Sequence, residues 1–342
     1  MTIDDGFRGG ALWRPLAALY RTAIAGRAAL YGTGVLRRQR VAARVISVGN
    51  LVAGGAGKTP LVIAIAEHLV AAGQRVAVLG RGYRASGEHG LNVIAPGQGS
   101  TADPAVCGDE AVLVAQRAPQ VAVLSGADRV RLARTAIERF GSQVLLLDDG
   151  FQHWRLARDL DIVVLRAPRP FGNGRLLPAG PLREPIDSLH RADLVVINRS
   201  DGPLVELLPE WLALSRRLVE VAHLPLELVE LATGAIRPVE QLRGQRVLLA
   251  AGVARPQSMS DTVRAVGADL VEIAARPDHH AWSSDEVAAL AQRAQQLGAL
   301  LLTSEKDAVK WRSPPPASCA LRLVTRFISG ADELWHRVDS KE

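Results

Sequence analysis

The run Gly54-Gly55-Ala56-Gly57-Lys58-Thr59 is the part of this 342-residue chain best suited to chemistry. Glycines let successive backbone N–H groups turn inward around phosphate oxygens. A lysine that follows them reaches the outer phosphates of a nucleoside triphosphate, and the next hydroxyl ligates Mg²⁺. Lys58 and Thr59 occupy those places, and Val52, Ala53, Gly54, Gly55, Ala56 and Gly57 supply the rest of the cradle. The general Walker A pattern has a glycine where this chain has Val52. A turn that binds nothing is the alternative, and the position after a strand and before a helix argues against it.

Four further groups have chemical potential. Val144-Leu145-Leu146-Leu147-Asp148-Asp149 reads as a buried strand that delivers carboxylates to its carboxyl end, where a Walker B acid holds Mg²⁺ or its water shell. Gly108-Asp109-Glu110 opens a helix. Its acids either suit the helix dipole or supply a base for an attacking hydroxyl. Pro277-Asp278-His279-His280 places two imidazoles in a polar loop, to orient an acid or relay a proton, or merely to support the loop. Residues 150–184 hold Arg155, Arg158, Arg166, Arg169, Arg175 and Arg183, suited to phosphate recognition where they are not plain surface. Ser304-Glu305-Lys306-Asp307 is either a nucleotide contact or a charged turn.

The elements that must position these residues are legible in outline. Residues 44–48 form a β-branched strand leading into the glycine loop, and 60–72 have helical apolar spacing. Further buried strands are expected at 75–79, 120–124, 143–147, 161–165 and 193–197. Continuous apolar strands alternating with helices imply a parallel sheet covered on both faces, with ligands at the carboxyl ends. Residues 217–231 read as extended linking structure. Strands at 245–251, 270–273 and 299–303 begin a second, smaller α/β unit, which the tail from Ser313 closes. The expected division is 1–40, 41–220 and 221–342.

Residues 11–36 are expected to form a helix with an apolar stripe at Leu12, Leu16, Leu19, Tyr20, Ala23 and Leu30. Arg14 and Arg21 lie opposite, and Arg27 would have to snorkel. The longest uncharged run is nine residues, 28–36, against roughly 20 for a membrane span. With Trp13, Tyr20 and Tyr31 as interfacial rings and Arg37, Arg38 and Arg40 behind, the helix either lies in an anionic membrane surface or packs on its own domain. Residues 1–10 do not read as a signal peptide.

Composition narrows the partners. The net charge of +6 favours polyanions, but aromatic residues are only 4% and do not interleave with basic ones, so nucleic acid is not expected. The two cysteines, Cys107 and Cys319, have neither disulfide-framework nor zinc spacing, and a reducing interior is the default.

Together the motifs resemble one family, the tetraacyldisaccharide 4′-kinases of lipid A synthesis. The likeness runs through Gly49-Asn50 and the glycine loop, Gly80-Arg81-Gly82-Tyr83-Arg84, Gly108-Asp109-Glu110 and Leu147-Asp148-Asp149-Gly150-Phe151-Gln152-His153. It continues through Leu177-Pro178-Ala179-Gly180-Pro181-Leu182-Arg183-Glu184, Pro277-Asp278-His279-His280 and Thr303-Ser304-Glu305-Lys306-Asp307. The family's loop departs from the general pattern where Val52 stands. The resemblance implies a P-loop kinase domain joined to a smaller α/β domain, the two closing on each other. It implies transfer of the ATP γ-phosphate to the 4′-hydroxyl of an acylated glucosamine disaccharide 1-phosphate, giving lipid IVA, with Mg²⁺ and no required protein partner. The enzyme would bind peripherally to the cytoplasmic face of the bacterial inner membrane. It further implies that Lys58 and Thr59 bind ATP and Mg²⁺, and that Asp148 holds the metal with Asp149 as the second Walker B acid. Asp109 would be the base, paired with His279 because that residue directly follows Pro-Asp. Tyr83, Glu110, Arg183 and Glu184 would touch substrate. A membrane-recruited switch ATPase and a kinase of a soluble small molecule are the competing classes.

Overall fold

The structure, a computed structural model, describes residues 13–206, 208–213 and 217–340. Leu12 and the first residues of the expected N-terminal helix lie outside the described residues, as do residues 1–10. The chain runs α1 (Arg14–Gly32), β1 (Arg44–Gly49), α2 (Lys58–Ala71), β2 (Val76–Gly80), β3 (Asn92–Ile94), α3 (Pro104–Cys107), α4 (Asp109–Arg117) and β4 (Ala122–Ser125). It continues α5 (Arg129–Phe140), β5 (Val144–Asp148), β6 (Leu160–Arg166), β7 (Leu194–Asn198), α6 (Glu210–Ala213), β8 (Leu218–Glu230) and β9 (Ile236–Pro238). Last come β10 (Arg246–Ala251), α7 (Pro256–Ala265), β11 (Asp269–Ala275), α8 (Ser284–Gln296), β12 (Leu300–Ser304), α9 (Glu305–Ala308), β13 (Ser318–Ser329) and α10 (Ala331–Asp339).

All strands among the described residues join one 13-stranded sheet in the order β11-β10-β12-β13-β8-β7-β6-β1-β5-β2-β4-β3, with β9 paired to β8. From β8 to β4 the neighbours are parallel, as are those from β11 to β13. The expected mixed α/β class with a large parallel sheet is therefore present. Apolar side chains cover both faces. Ile46, Val48, Leu61, Ile65 and Val112 pack on one side of the β1–β5 region, and Leu79, Leu124, Leu132, Leu145 and Leu147 on the other. Each fully buried leucine contributes roughly 1.5–3 kcal/mol.

Two features depart from the expectations. Residues 217–231 hold β8, Leu218–Glu230, a 13-residue strand rather than loose linking structure. Val219, Val221 and His223 are buried on one face while Leu224 and Leu226 are exposed. Pro225, which has no N–H to donate, sits at a register shift opposite Leu323, the kind of place a strand tolerates proline. The antiparallel β8/β13 ribbon makes the two halves of the sheet continuous. Helix α10 returns to the first half instead of closing the second: Leu334 and Val338 are fully buried with Ile46 and Leu61. His68 of α2 stacks on Trp335 and bonds Asp339 at 2.9 Å.

Helix α1 lies on the first half. Tyr20 donates to the Arg183 carbonyl at 3.0 Å, and Tyr31 meets Trp154 edge-on. The Arg27 guanidinium caps both the Tyr31 and Trp154 rings and donates to the Gln152 carbonyl. Arg27, Tyr20 and Tyr31 thus dock the helix, where a snorkelling cation and interfacial rings were expected. Leu16, Leu19 and Leu30 form a separate exposed stripe, 48%, 67% and 43% accessible.

Candidate active site

The glycine loop runs from β1 into α2. Its entry is fixed by a bridge between Val52 and Leu182, with the Ala53 amide donating to the Pro181 carbonyl. Extended backbone in a bridge needs no glycine, which accounts for valine at that position. It also commits the Ala53 amide, so Gly54 onward forms the concave part. Gly57 takes φ 81° and caps α2. A Cβ there would lie 2.3 Å from Asn198 Nδ2 and 2.7 Å from His223 Nε2, so both conformation and space require glycine. Among the described residues, no backbone carbonyl accepts from the amides of Gly54, Gly55, Ala56 or Gly57.

Strand β5 lies parallel beside β1 and ends at Asp148, as expected of its apolar run. Thr59 Oγ1 and Asp148 Oδ2 are 3.5 Å apart. Asp148 Oδ1 is buried without a hydrogen-bond partner, and burial, reinforced by nearby Glu110, pushes this carboxyl up. A hard divalent cation would relieve both. Two oxygen donors at one edge fit Mg²⁺, which takes few protein ligands and completes its shell with water and phosphate. Among the described residues no group of three or more His, Cys, Asp or Glu side chains forms a metal cage. Asp149 sits at φ 58° and bonds Arg183 at 2.7 Å and Lys58 at 3.2 Å. Burial opposes its charge, but Lys58 and Arg183 more than offset this and hold it well below the usual carboxylate range.

The second half of the sheet supplies the rest. The loop after β11 carries His279, at φ 63°, to Asp109 at the start of α4, with Nδ1 to Oδ2 3.0 Å. The other Asp109 oxygen accepts the Glu110 amide at 2.9 Å. Burial favours the neutral acid. The His279 hydrogen bond, then Lys306 and Lys310, outweigh it and lower the Asp109 pKa. The same hydrogen bond raises that of His279. His280 points elsewhere, to Glu286 at 3.1 Å. Lys306 reaches Asp278 at 3.1 Å, Glu110 at 3.5 Å and Asp109 at 4.0 Å. Burial alone would depress this ammonium, yet the three carboxylates hold it above its usual value. Asp307 holds the Gly252 amide and the Trp282 indole instead, so it shapes the loop.

Tyr83 is 52% exposed and approaches His279 edge-on at 5.9 Å. Its loop reaches Asp109 because Gly82 and Gly108 touch backbone to backbone: a Cβ on Gly108 would lie 2.9 Å from the Gly82 Cα. Glu184 is buried and pairs with Arg191 at 2.8 Å. Of the arginine-rich segment, Arg183 reaches the acids and Arg166 the glycine loop, while Arg158 is buried on Asp161 and Arg155 pairs with Asp128. Asp149, His279 and Arg84 (φ 61°) are non-glycine residues in left-handed conformation around this cleft. Each costs roughly 1–3 kcal/mol, a pattern typical of functional sites. Reading residues in order missed the central place of Lys306. It also missed Asn198 and His223, whose neighbours in sequence carry no motif.

The chain is similar to known proteins along nearly its whole length. A family model described as tetraacyldisaccharide-1-P 4′-kinase matches residues 10–341. A tetraacyldisaccharide 4′-kinase of Anaeromyxobacter sp. (strain Fw109-5) is 43% identical over 330 residues, covering 94% of this chain and 89% of its relative. One of Syntrophus aciditrophicus (strain SB) is 41% identical over 304 residues, covering 85% and 81%. The crystal structure of the "apo" form of LpxK from Aquifex aeolicus in complex with ATP superposes with a TM-score of 0.79 at 28% identity, covering 96% of this chain and 98% of that one. With the glycine loop, the paired acids and the Asp109–His279 contact on one edge of the sheet, this chain belongs to the tetraacyldisaccharide-1-P 4′-kinase family.

Proposed function

We propose that the chain transfers the γ-phosphate of ATP to the 4′-hydroxyl of a tetraacylated glucosamine disaccharide 1-phosphate to form lipid IVA, acting at an anionic membrane surface. The observation that carries the reading is the Asp109–His279 hydrogen bond of 3.0 Å, made between two halves of the sheet at the edge that also bears the glycine loop. A switch ATPase has no use for a base aimed at a hydroxyl. Family membership and the ATP-bound relative support the same conclusion.

In this reading the inward amides of residues 54–58 and Lys58 hold the triphosphate. Thr59 and Asp148 hold Mg²⁺, which when bound neutralises charge on the transferring phosphoryl group. Asp109 takes the proton of the sugar hydroxyl as its oxygen bonds to the γ-phosphorus and the bond to ADP breaks. His279 orients the carboxylate and keeps it ionised. Asp149 positions Lys58 and Arg183. Tyr83, Glu110 and Arg183 face the acceptor sugar and its phosphate, while Glu184, held by Arg191, sets the loop that carries Arg183. Contact between the halves excludes water.

We also propose peripheral binding at the cytoplasmic face of the inner membrane. Among the described residues no helix is long and apolar enough to cross a membrane, and the exposed stripe on α1 supports attachment from one side. The division at 40 and 220 stands as a proposal as well. The β8/β13 ribbon supports a joint near 220, although α10 packs on the first core.

The direct test incubates purified protein with labelled ATP and the disaccharide 1-phosphate in detergent. Label should appear on the lipid with wild type and vanish with Asp109→Ala. Label released as inorganic phosphate, with none on the lipid, would favour the switch ATPase.

A further inference from the structure

Three neighbouring strands of the sheet, β6 and β7 through their last residues and β8 through a residue within it, meet the outer side of the glycine loop. Arg166, the last residue of β6, donates to the Gly55 carbonyl at 3.1 Å. Asn198, the last residue of β7, donates to the Ala56 carbonyl at 3.0 Å and is fully buried. His223 of β8 meets the Gly57 carbonyl at 2.9 Å. Because that partner is a carbonyl oxygen, His223 Nε2 carries the hydrogen, and Nδ1 accepts from Thr325 Oγ1 at 3.2 Å. Burial lowers the pKa of this imidazole to about 4, in keeping with the neutral form.

We infer that Arg166, Asn198 and His223 are positioning residues for ATP, acting together as a clamp on three successive loop carbonyls. The geometry follows from the planar trans peptide, in which the C=O of one residue and the N–H of the next point in opposite directions. Carbonyls of Gly55, Ala56 and Gly57 held outward leave the amides of Ala56, Gly57 and Lys58 aimed at the concave side. Without the clamp a glycine-rich loop would sample many conformations and would have to be ordered by the ligand at a cost in affinity.

Each clamp residue is itself fixed. Arg166 pairs with Asp201 at 2.7 Å and also reaches Ser258 of α7. The side-chain oxygen of Asn198 accepts from the Ser200 amide at 3.0 Å and from its hydroxyl. His223 donates its own amide to Ser200 Oγ at 2.8 Å. Ser258 and Thr325 lie beyond β7 on elements of the second half or the ribbon, so two of the three holds share partners with the parts of the molecule that bear His279 and Lys306.

This inference rests on the reading that the loop binds a triphosphate, and its test separates the two. Binding of ATP with Mg²⁺ by calorimetry and steady-state kinetics are measured for wild type, Lys58→Met, His223→Leu, His223→Gln and Asn198→Asp. The last is isosteric, and keeps the answer available should His223→Leu fail to fold. The expected result is that Kd and KM for ATP rise on the order of tenfold in His223→Leu and Asn198→Asp, the scale of one lost and unsatisfied hydrogen bond. KM for the lipid acceptor stays unchanged. His223→Gln, which offers an N–H at similar reach, recovers to within about threefold. If wild type binds ATP, Lys58→Met does not, and the clamp variants match wild type, the clamp alone is overturned. Equal loss in His223→Gln and His223→Leu would also overturn it, since bulk and not the hydrogen bond would then matter. If wild type binds no ATP, both readings fail.

Discussion

At the residue scale, the site consists of charges that tune one another. Asp109 is buried and still kept ionised by His279, Lys306 and Lys310. Asp109→Asn and His279→Ala should each lower kcat by about 10²–10⁴, and the double variant should lose little more than the worse single one, because the pair acts as a unit. The sign of the pH effect follows from the same contacts. His279 lowers the Asp109 pKa, so its removal lets burial raise it. The acid limb of kcat/KM in His279→Ala should therefore move to higher pH. A limb that stays put or moves down would show that Asp109 is not the group being titrated. At the proposed metal position, Asp148→Asn removes the charge that a divalent cation would neutralise. It should raise the Mg²⁺ concentration needed for half-maximal rate at least tenfold, since a charged ligand is lost. Unchanged Mg²⁺ dependence would remove Asp148 from the metal site.

At the element scale, α1 has two apolar sides with different duties. One side, with Tyr20, Ile24 and Tyr31, docks on residues 152–154 and 183–184, next to Asp149. The other leaves Leu16 and Leu19 exposed. Replacing both by glutamate should leave the melting temperature within a degree or two, since exposed substitutions cost little. It should weaken sedimentation with anionic vesicles by about tenfold or more. Unaltered vesicle binding would mean that this stripe is not the attachment surface. The helix was legible from its periodicity, but which side docks was not: Arg27 and the two tyrosines find partners only because residues 152–154 are folded beneath them. Most parallel strands were legible because both of their faces are buried and they read as apolar runs. Strand β8 was not, because its alternating, half-exposed pattern and Pro225 resemble a linker until β13 pairs with it.

At the scale of the whole molecule, the halves of the sheet are held by ionic contacts at both ends of α4. Near its start Lys306 joins Asp278 to Glu110 and Asp109. Near its end Glu305 takes Arg117 at 2.8 Å and Arg322 at 2.9 Å. Lys306→Ala would leave three carboxylates facing one another with less positive charge between them. Small-angle scattering should then show a larger radius of gyration, and kcat should fall tenfold or more while KM for ATP changes little, because removing the shared cation of a partly buried cluster leaves its carboxylates, Asp109 above all, without their partner. An unchanged radius with unchanged kcat would mean that Lys306 does not hold the halves together.

What the chain determined by itself is local. Glycines in the loop after β1, acids at the end of an apolar strand and acids at a helix start all follow from backbone sterics and hydrogen bonding among near neighbours, and so they can be read in order. The pairing of Asp109 with His279, 170 residues apart, the position of Lys306, and the convergence of Arg166, Asn198 and His223 on one loop were decided by tertiary structure. They depend on which strands lie side by side and on charges from distant segments being buried together. No local pattern encodes that arrangement, because its energy exists only once the sheet has formed.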